Sequence, residues 1–245
     1  MFELSARAQD YVERTKQFIQ NEIEPIETDF WHEVHELNQG GDWTKWQWPA
    51  QLETLKAKAK AAGLWNMFLP CPELGQGLSV QEYAHIAELT GRSLLAPTVF
   101  NCNAPDSGNM EVLWRYGSEA QKQEWLTQLL DGKIRSVFCM TEPAVASSDA
   151  TNMQATAVIE GDEIVLNGRK WWSSGLGDPN AKIIIFMAHT PDETKDRHHQ
   201  HSMVLVPVET AGVKIERMLP VFGDYDAPHG HGEISFSNVR VPVSN

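Results

Sequence analysis

The sequence predicts an α+β protein, with an all-helical N-terminal domain followed by a domain built as a β-barrel or sandwich. Through the first 133 residues, apolar side chains recur at spacings of three and four, the period of an amphipathic helix. After Gly132-Lys133 the period falls to two, and β-branched and aromatic residues gather in short runs bounded by turn residues. With 245 residues, 42% of them hydrophobic, the chain can bury a sizeable core. A helical half followed by a strand-rich half implies two domains of different class, residues 1–133 and 134–245.

The first helix is expected over residues 4–23, where Leu4, Ala8, Tyr11, Val12, Phe18, Ile19 and Ile23 share a face, and Pro25 ends it. A second opens at Pro49, carries Leu52, Leu55, Ala59 and Ala62, and stops at Gly63. Ser79 precedes Glu82 by three residues and Ser118 precedes Gln121 likewise, so each serine can close a capping box and start a helix. Between them, residues 105–116 read as a helix with Met110, Leu113 and Trp114 on its apolar face. In the second half, strands are expected over residues 154–159, 163–166 and 169–173, joined by the hairpin dipeptides Gly161-Asp162 and Asn167-Gly168. Further strands follow at 182–188, 202–208, 213–218 and 233–241, with the polar stretch 190–201 as a solvated loop.

The charge balance of 33 acidic against 20 basic residues, formally -13, argues against a nucleic-acid backbone as partner, and no local basic patch offsets it. No run of eighteen or more apolar residues suggests a membrane span. The N-terminus MFELSARAQDYVERTKQF lacks the apolar core of a secretory signal, so the expected location is a bacterial cytoplasm or an organelle matrix. Cys71, Cys102 and Cys139 are an odd number at wide spacing, read as small buried hydrophobes rather than a zinc site or a disulfide framework. His198, His199 and His201, with His229 and His231, have no partner cysteine or H-E-x-x-H helix and fall in polar or Gly/Pro-bounded loops, so no metal is expected. Trp31, Trp43, Trp46 and Trp48 read as lining of the helical domain, or as a surface awaiting a partner, ahead of a ligand cage.

Two segments carry chemistry. In Phe138-Cys139-Met140-Thr141-Glu142-Pro143, a strand runs into a loop rich in small hydroxyls, which leaves backbone N–H groups and hydroxyl donors available to an anion or cofactor. Asn167-Gly168-Arg169-Lys170-Trp171-Trp172-Ser173-Ser174 places two tryptophans and two serines on the return strand of a hairpin, where strict alternation lets only one tryptophan face a given ligand.

Together these segments resemble the acyl-CoA dehydrogenase family, in which TEP opens a flavin-binding loop and a G-x-K-x-W-x-[ST] strand lies beside the flavin ring. Residues 101–111, NCNAPDSGNME, residues 115–122, RYGSEAQK, the TEP-x-V-A-S-S-D form of the loop and Val239-Arg240-Val241-Pro242 resemble the branch holding family members ten and eleven. The resemblance implies FAD as cofactor and an N-terminal helical domain, a middle β domain and a C-terminal helical bundle, of which the first two are matched here. It implies that Phe138, Met140 and Thr141 contact the flavin edge, Trp172 flanks the ring and Ser174 lies near N5. Ser147 or Ser148 would fill the place shared by the FAD pyrophosphate and the substrate thioester tail.

The implied reaction is α,β-dehydrogenation of an acyl-CoA thioester, with electron-transfer flavoprotein as acceptor. The family's glutamate base is expected beyond Asn245, so no catalytic base is assigned, and Glu142 is read as a structural hydrogen-bond acceptor. The implied state is a truncated chain or half of a split enzyme, forming a homo-oligomer or a heteromer with a chain that supplies the helical bundle. An acyl-CoA oxidase of the same fold, and a non-catalytic acyl-CoA or protein-interaction module, are the alternatives.

Overall fold

The computed structural model describes residues 3–245, so Met1 and Phe2 of the expected first domain and N-terminal segment lie outside the described residues. Two compact units are present, one formed by the described residues up to 39 together with residues 47–116, the other by residues 40–46 and 117–245.

The first unit is helical. Helix α1 (Ala6–Phe18) is capped by the Ser5 side chain and continues through a π-helical turn, Ile19–Ile23, so the expected span of residues 4–23 is helical nearly throughout. Its buried face carries Ala8, Tyr11, Ile19 and Ile23. Helix α2 (Glu27–Leu37) has no counterpart in the sequence reading. Only Phe30 and Val34 bury fully on it, a thin i,i+4 stripe. Its first residue is anchored at a distance in sequence, since Glu27 Oε1 accepts Ser93 Oγ at 2.8 Å and Leu95 N at 3.1 Å. Helix α3 (Gln51–Ala61) buries Leu52, Leu55 and Ala59 as the spacing predicts. Helix α4 (Val80–Thr90) begins with both arms of the Ser79–Glu82 capping box formed. A short α5 (Ala96–Val99) and α6 (Asp106–Tyr116), with Met110 and Leu113 buried, complete the unit.

The second unit opens with the Ser118–Gln121 capping box, also closed on both arms, at the head of α7 (Glu119–Gln121). The helix runs on through a π turn, Lys122–Leu126, into α8 (Thr127–Leu130). Seven strands follow as one curled mixed sheet: β1 (Arg135–Cys139), β2 (Thr156–Glu160), β3 (Glu163–Ser174), β4 (Ala181–His189), β5 (His201–Pro207), β6 (Val213–Met218) and β7 (His231–Pro242). Their order is β1-β4-β2-β3-β7-β6, with β5 added on β4. The β1–β4 pair is parallel; β2–β3, β3–β7, β4–β5 and β6–β7 are antiparallel. The core inside the curl includes Val137, Leu166, Phe186, Val206, Ile234 and Phe236, with Phe186 and Phe236 stacked at 4.2 Å between ring centres.

Three expectations change. Asn167-Gly168 is not a hairpin turn: β3 runs unbroken from Glu163 to Ser174, so the tryptophans share a strand with residues 163–166. The register against β7 shifts between Leu166 and Gly168, and Asn167 Oδ1 accepts the Asn238 N–H at 2.8 Å. A glycine in a strand can mark a bulge or a close backbone approach as well as a turn, and here it marks both. A Cβ on Gly168 would sit 2.5 Å from Ala155 Cβ. The tryptophans of residues 31–48 also divide. Trp31 and Trp48 pack on the helical core, whereas Trp43 and Trp46 pack on the β core. Trp46 is only 3% exposed, and its ring fills the space left by Gly177 and Gly230, where an added Cβ would approach it to 2.6 and 2.8 Å. Finally, His201 and His231 open strands β5 and β7 and do not lie in loops.

Candidate functional site

Strand β1 ends at Cys139, and the chain turns into the loop over residues 140–149. The loop has no regular secondary structure, so its shape is set by side-chain anchors, and the main one is an ion pair. Lys170, central in β3, has no exposed surface and donates through Nζ to Glu142 Oε1 and to Met140 O, both at 2.9 Å. Glu142 is 3% exposed, and its carboxylate also accepts Ala155 N at 3.0 Å and Gln154 N at 2.8 Å. One carboxylate thereby ties the loop, the residues leading into β2, and β3. Burial pushes the Lys170 ammonium below its ordinary range while Glu142 pulls it back up. With three donors on its oxygens, Glu142 has the acceptor role expected of it.

Two further bonds shape the loop. The Glu142 N–H donates to Ser147 Oγ at 3.0 Å, which buries Ser147 and leaves Ser148 exposed. The Trp171 N–H donates to Thr141 O at 3.0 Å, which brings Thr141 against the tryptophan strand. Thr141 is exposed, and its hydroxyl has no partner among the described residues. Met140 and Phe138 are half-buried on the same run of chain. Cys139 is buried between them, and burial pushes its thiol up to about 12, which makes it inert at neutral pH.

Trp172 breaks the alternation expected of β3. The β3–β7 register shifts between Lys170 and Ser173, and Trp172 itself has φ of +51°, a left-handed conformation that is costly for an aromatic residue. As a result the Trp171 and Trp172 rings do not point to opposite faces but lie 6.1 Å apart, inclined at 53°. Trp172 remains 42% exposed, an aromatic surface held out by strained backbone.

Ser174, two residues on, pairs across the sheet with His231, and its Oγ lies 2.9 Å from His231 Nδ1. On the other side of that imidazole, Nε2 is 3.4 Å from Asp226 Oδ2. The neighbouring His229 ring is 6.1 Å from His231, and burial holds its pKa down at about 4, so it is neutral at physiological pH. The structure therefore gathers Met140, Thr141, Trp172 and Ser174 at one end of β1 and β3, with Ser147 and Ser148 further along the same loop. A cavity of about 550 Å³ flanks the loop beside Pro143, Gln154, Asn167 and Arg169, and its lining includes none of Thr141, Trp172 and Ser174. Among the described residues, no group of three or more His, Cys, Asp or Glu side chains is placed to hold a metal ion. No helix among them is long and apolar enough to cross a membrane.

The acyl-CoA dehydrogenase N-terminal domain model matches residues 5–133, and the acyl-CoA dehydrogenase middle domain model matches residues 137–239. The chain belongs to the acyl-CoA dehydrogenase family. Acyl-CoA dehydrogenase family member 11 of Gallus gallus is 50% identical over 246 residues, a match that spans all of this chain and 31% of that protein. The chain therefore spans about a third of the length of this relative. A solved family structure from Mycobacterium abscessus is 60% identical with a TM-score of 0.93, covering 99% of this chain and 60% of that one. A glutaryl-CoA dehydrogenase from Mycobacterium smegmatis, solved in complex with FADH2, shares the fold at 22% identity and a TM-score of 0.71, covering 98% of this chain and 55% of that one.

Sequence reasoning did not place Lys170, His231 or Asp226 with Thr141, Trp172 and Ser174. Lys170 carried a signal, since a lysine within an expected strand has to find an acceptor wherever that strand is buried. His231 and Asp226 carried none, because their meeting with Ser174 depends on the β3–β7 register.

Proposed function

We propose that this chain supplies the flavin-binding face of an FAD-dependent acyl-CoA dehydrogenase that acts on an acyl-CoA thioester. The observation that carries this reading is the Trp171 N–H to Thr141 O bond, which holds the exposed Thr141 against the strand segment that presents the exposed Trp172 ring. An unpartnered hydroxyl beside an exposed aromatic face suits a planar ligand with polar edges, and this fits the flavin ring.

In this reading Phe138, Met140, Thr141, Trp172 and Ser174 hold the ring system, and Ser148, the exposed member of the serine pair, is the better placed for the pyrophosphate or the thioester tail. Ser147 is buried, and one lone pair of its oxygen is already taken by the Glu142 N–H. Bound FAD supplies the two-electron acceptor for the β-hydrogen of the thioester. Trp172 excludes water from one face of the site, and Thr141 offers a donor at its edge. Glu142, buried and held by three donors, is not assigned as the α-proton acceptor, and neither is any other described residue. The complex of the M. smegmatis relative with FADH2 supports the cofactor; electron-transfer flavoprotein as acceptor, and assembly with a chain carrying a helical bundle, complete the proposal. The division into a helical domain to residue 133 and a β domain from residue 134 belongs to the same reading.

The test is the visible spectrum of the purified chain after FAD is added and the excess removed, followed by anaerobic addition of a long-chain acyl-CoA. Retained yellow colour is expected, and bleaching requires that a base be present in the assembly. Trp172→Ala should weaken FAD retention by roughly two- to tenfold, the equivalent of ~0.5–1.5 kcal/mol for an aromatic contact. A colourless chain, or one whose FAD affinity ignores Trp172, would count against the proposal.

A further inference from the structure

The Ser174–His231–Asp226 line has no role in the reading above beyond the placing of Ser174. A carboxylate only accepts hydrogen bonds, so Asp226 Oδ2, 3.4 Å from His231 Nε2, favours a proton on that nitrogen. In the neutral imidazole this leaves Nδ1 as an acceptor. Ser174 Oγ sits 2.9 Å from Nδ1 and has one proton to give. Once that proton is committed to His231, the hydroxyl presents only lone pairs on its remaining side.

The backbone fixes this arrangement. Ser174 and His231 are cross-strand partners, and the Gly175 N–H donates to Gly230 O at 2.9 Å beside them. The Gly230 N–H donates to Asp226 O at 2.9 Å, which closes the loop that carries the carboxylate back to the ring. Trp46 packs against Gly177 and Gly230 beneath that loop. The His231 ring is also 6.3 Å from Trp172, so the line ends at the exposed aromatic surface.

We propose that His231, steadied by Asp226, is a positioning residue that makes the Ser174 hydroxyl a hydrogen-bond acceptor toward the ligand held at Trp172. This rests on the flavin reading above for the ligand. The N5 atom of an oxidised isoalloxazine offers a lone pair, whereas that of the reduced ring carries an N–H. A serine that can only accept complements the reduced ring, so this chain favours reduced flavin more than it would with the Ser174 proton released.

The test has two arms. In the unliganded full chain, long-range proton–nitrogen NMR spectra, with the His231 signals assigned by their loss in His231→Ala, should show the Nε2–H tautomer. Asp226→Asn should reduce its population. In the FAD-loaded chain, His231→Ala should shift the reduced-to-oxidised ratio at fixed potential by about fivefold toward oxidised, the equivalent of one net hydrogen bond. For two electrons this is a fall of about 20 mV. Ser174→Ala should shift it the same way, the double substitution should add little, and His231→Asn, whose amide oxygen can accept from Ser174, should restore most of it. A dominant Nδ1–H tautomer, or a potential unmoved by His231→Ala, would overturn the proposal. A chain that retains no FAD would remove the flavin reading and the ligand half of this one, while the tautomer still decides the direction of the Ser174 hydroxyl.

Discussion

Replacing Lys170 by methionine should destabilise the β unit by about 3–5 kcal/mol, the cost of leaving a buried charge without its partner. The ammonium is fully buried and, among the described residues, is the one side-chain cation on Glu142, whose other donors are the backbone N–H groups of Gln154 and Ala155. Methionine fills much of the same volume, so the loss is electrostatic rather than a cavity. Urea unfolding followed by tryptophan fluorescence and circular dichroism would read it as a lower midpoint. The double variant Lys170→Met with Glu142→Gln should recover part of the loss, because a neutral amide tolerates the site better and the two residues are coupled. A midpoint change worth less than about 1 kcal/mol for Lys170→Met would show that water or another group reaches Glu142 and that the anchor is weaker than its burial implies.

The second large effect is expected at Gly168. A Cβ there would lie 2.5 Å from Ala155 Cβ and 2.9 Å from Ala155 Cα, and the latter is backbone that cannot move aside by rotation. Gly168→Ala should therefore cost about 1–3 kcal/mol, the range for overpacking a filled site. It should also loosen the loop, because Ala155 N is one of the donors on Glu142. Adding Ala155→Gly removes the opposing methyl, so the double variant should regain part of the lost stability. If Gly168→Ala matched the parent in urea, the close approach of β3 to residue 155 would not constrain the fold.

Much of the architecture was legible because local signals and tertiary packing agree. Both serine capping boxes form, and the apolar stripes of α1, α3 and α6 bury most of the side chains their spacing singles out, with Leu4, Val12, Phe18, Ala62 and Trp114 only half-buried. The change of period after residue 133 precedes β1 by one residue, and the span of β6 is the expected 213–218. Helix α2 escaped because its buried stripe is two residues wide and its stability comes from Glu27 bonding to Ser93 and Leu95, contacts with no signature in residues 27–37. The Asn167-Gly168 dipeptide misled for a different reason. Asparagine followed by glycine is the favoured pair of a tight hairpin turn, but tertiary contact with Ala155 and the bond to Asn238 use the same residues to carry a strand through a bulge.

The site was legible as two segments and illegible as an arrangement. Residues 138–142 and 168–174 were singled out as neighbours only through resemblance, and the bonds joining them, Lys170 to Met140 and Glu142 and Trp171 to Thr141, supply the physical reason. The loop's serines could not be ranked from sequence, and burial separates them. The pleat rule failed at Trp171 and Trp172 because a register shift is a property of the strand pair rather than of either strand alone. Asp226 and His231 are close to each other in sequence but far from Ser174, and only the β3–β7 pairing unites them.

In the proposed function Thr141, Trp172 and Ser174 form one side of a flavin site. The most direct measurement is a crystal structure of the full chain grown with saturating FAD. Ring density is expected against Trp172, with Thr141 and Ser174 within hydrogen-bonding distance of its polar atoms. Flavin bound elsewhere on the chain, or crystals in which Trp172 stays bare at saturating FAD, would contradict it.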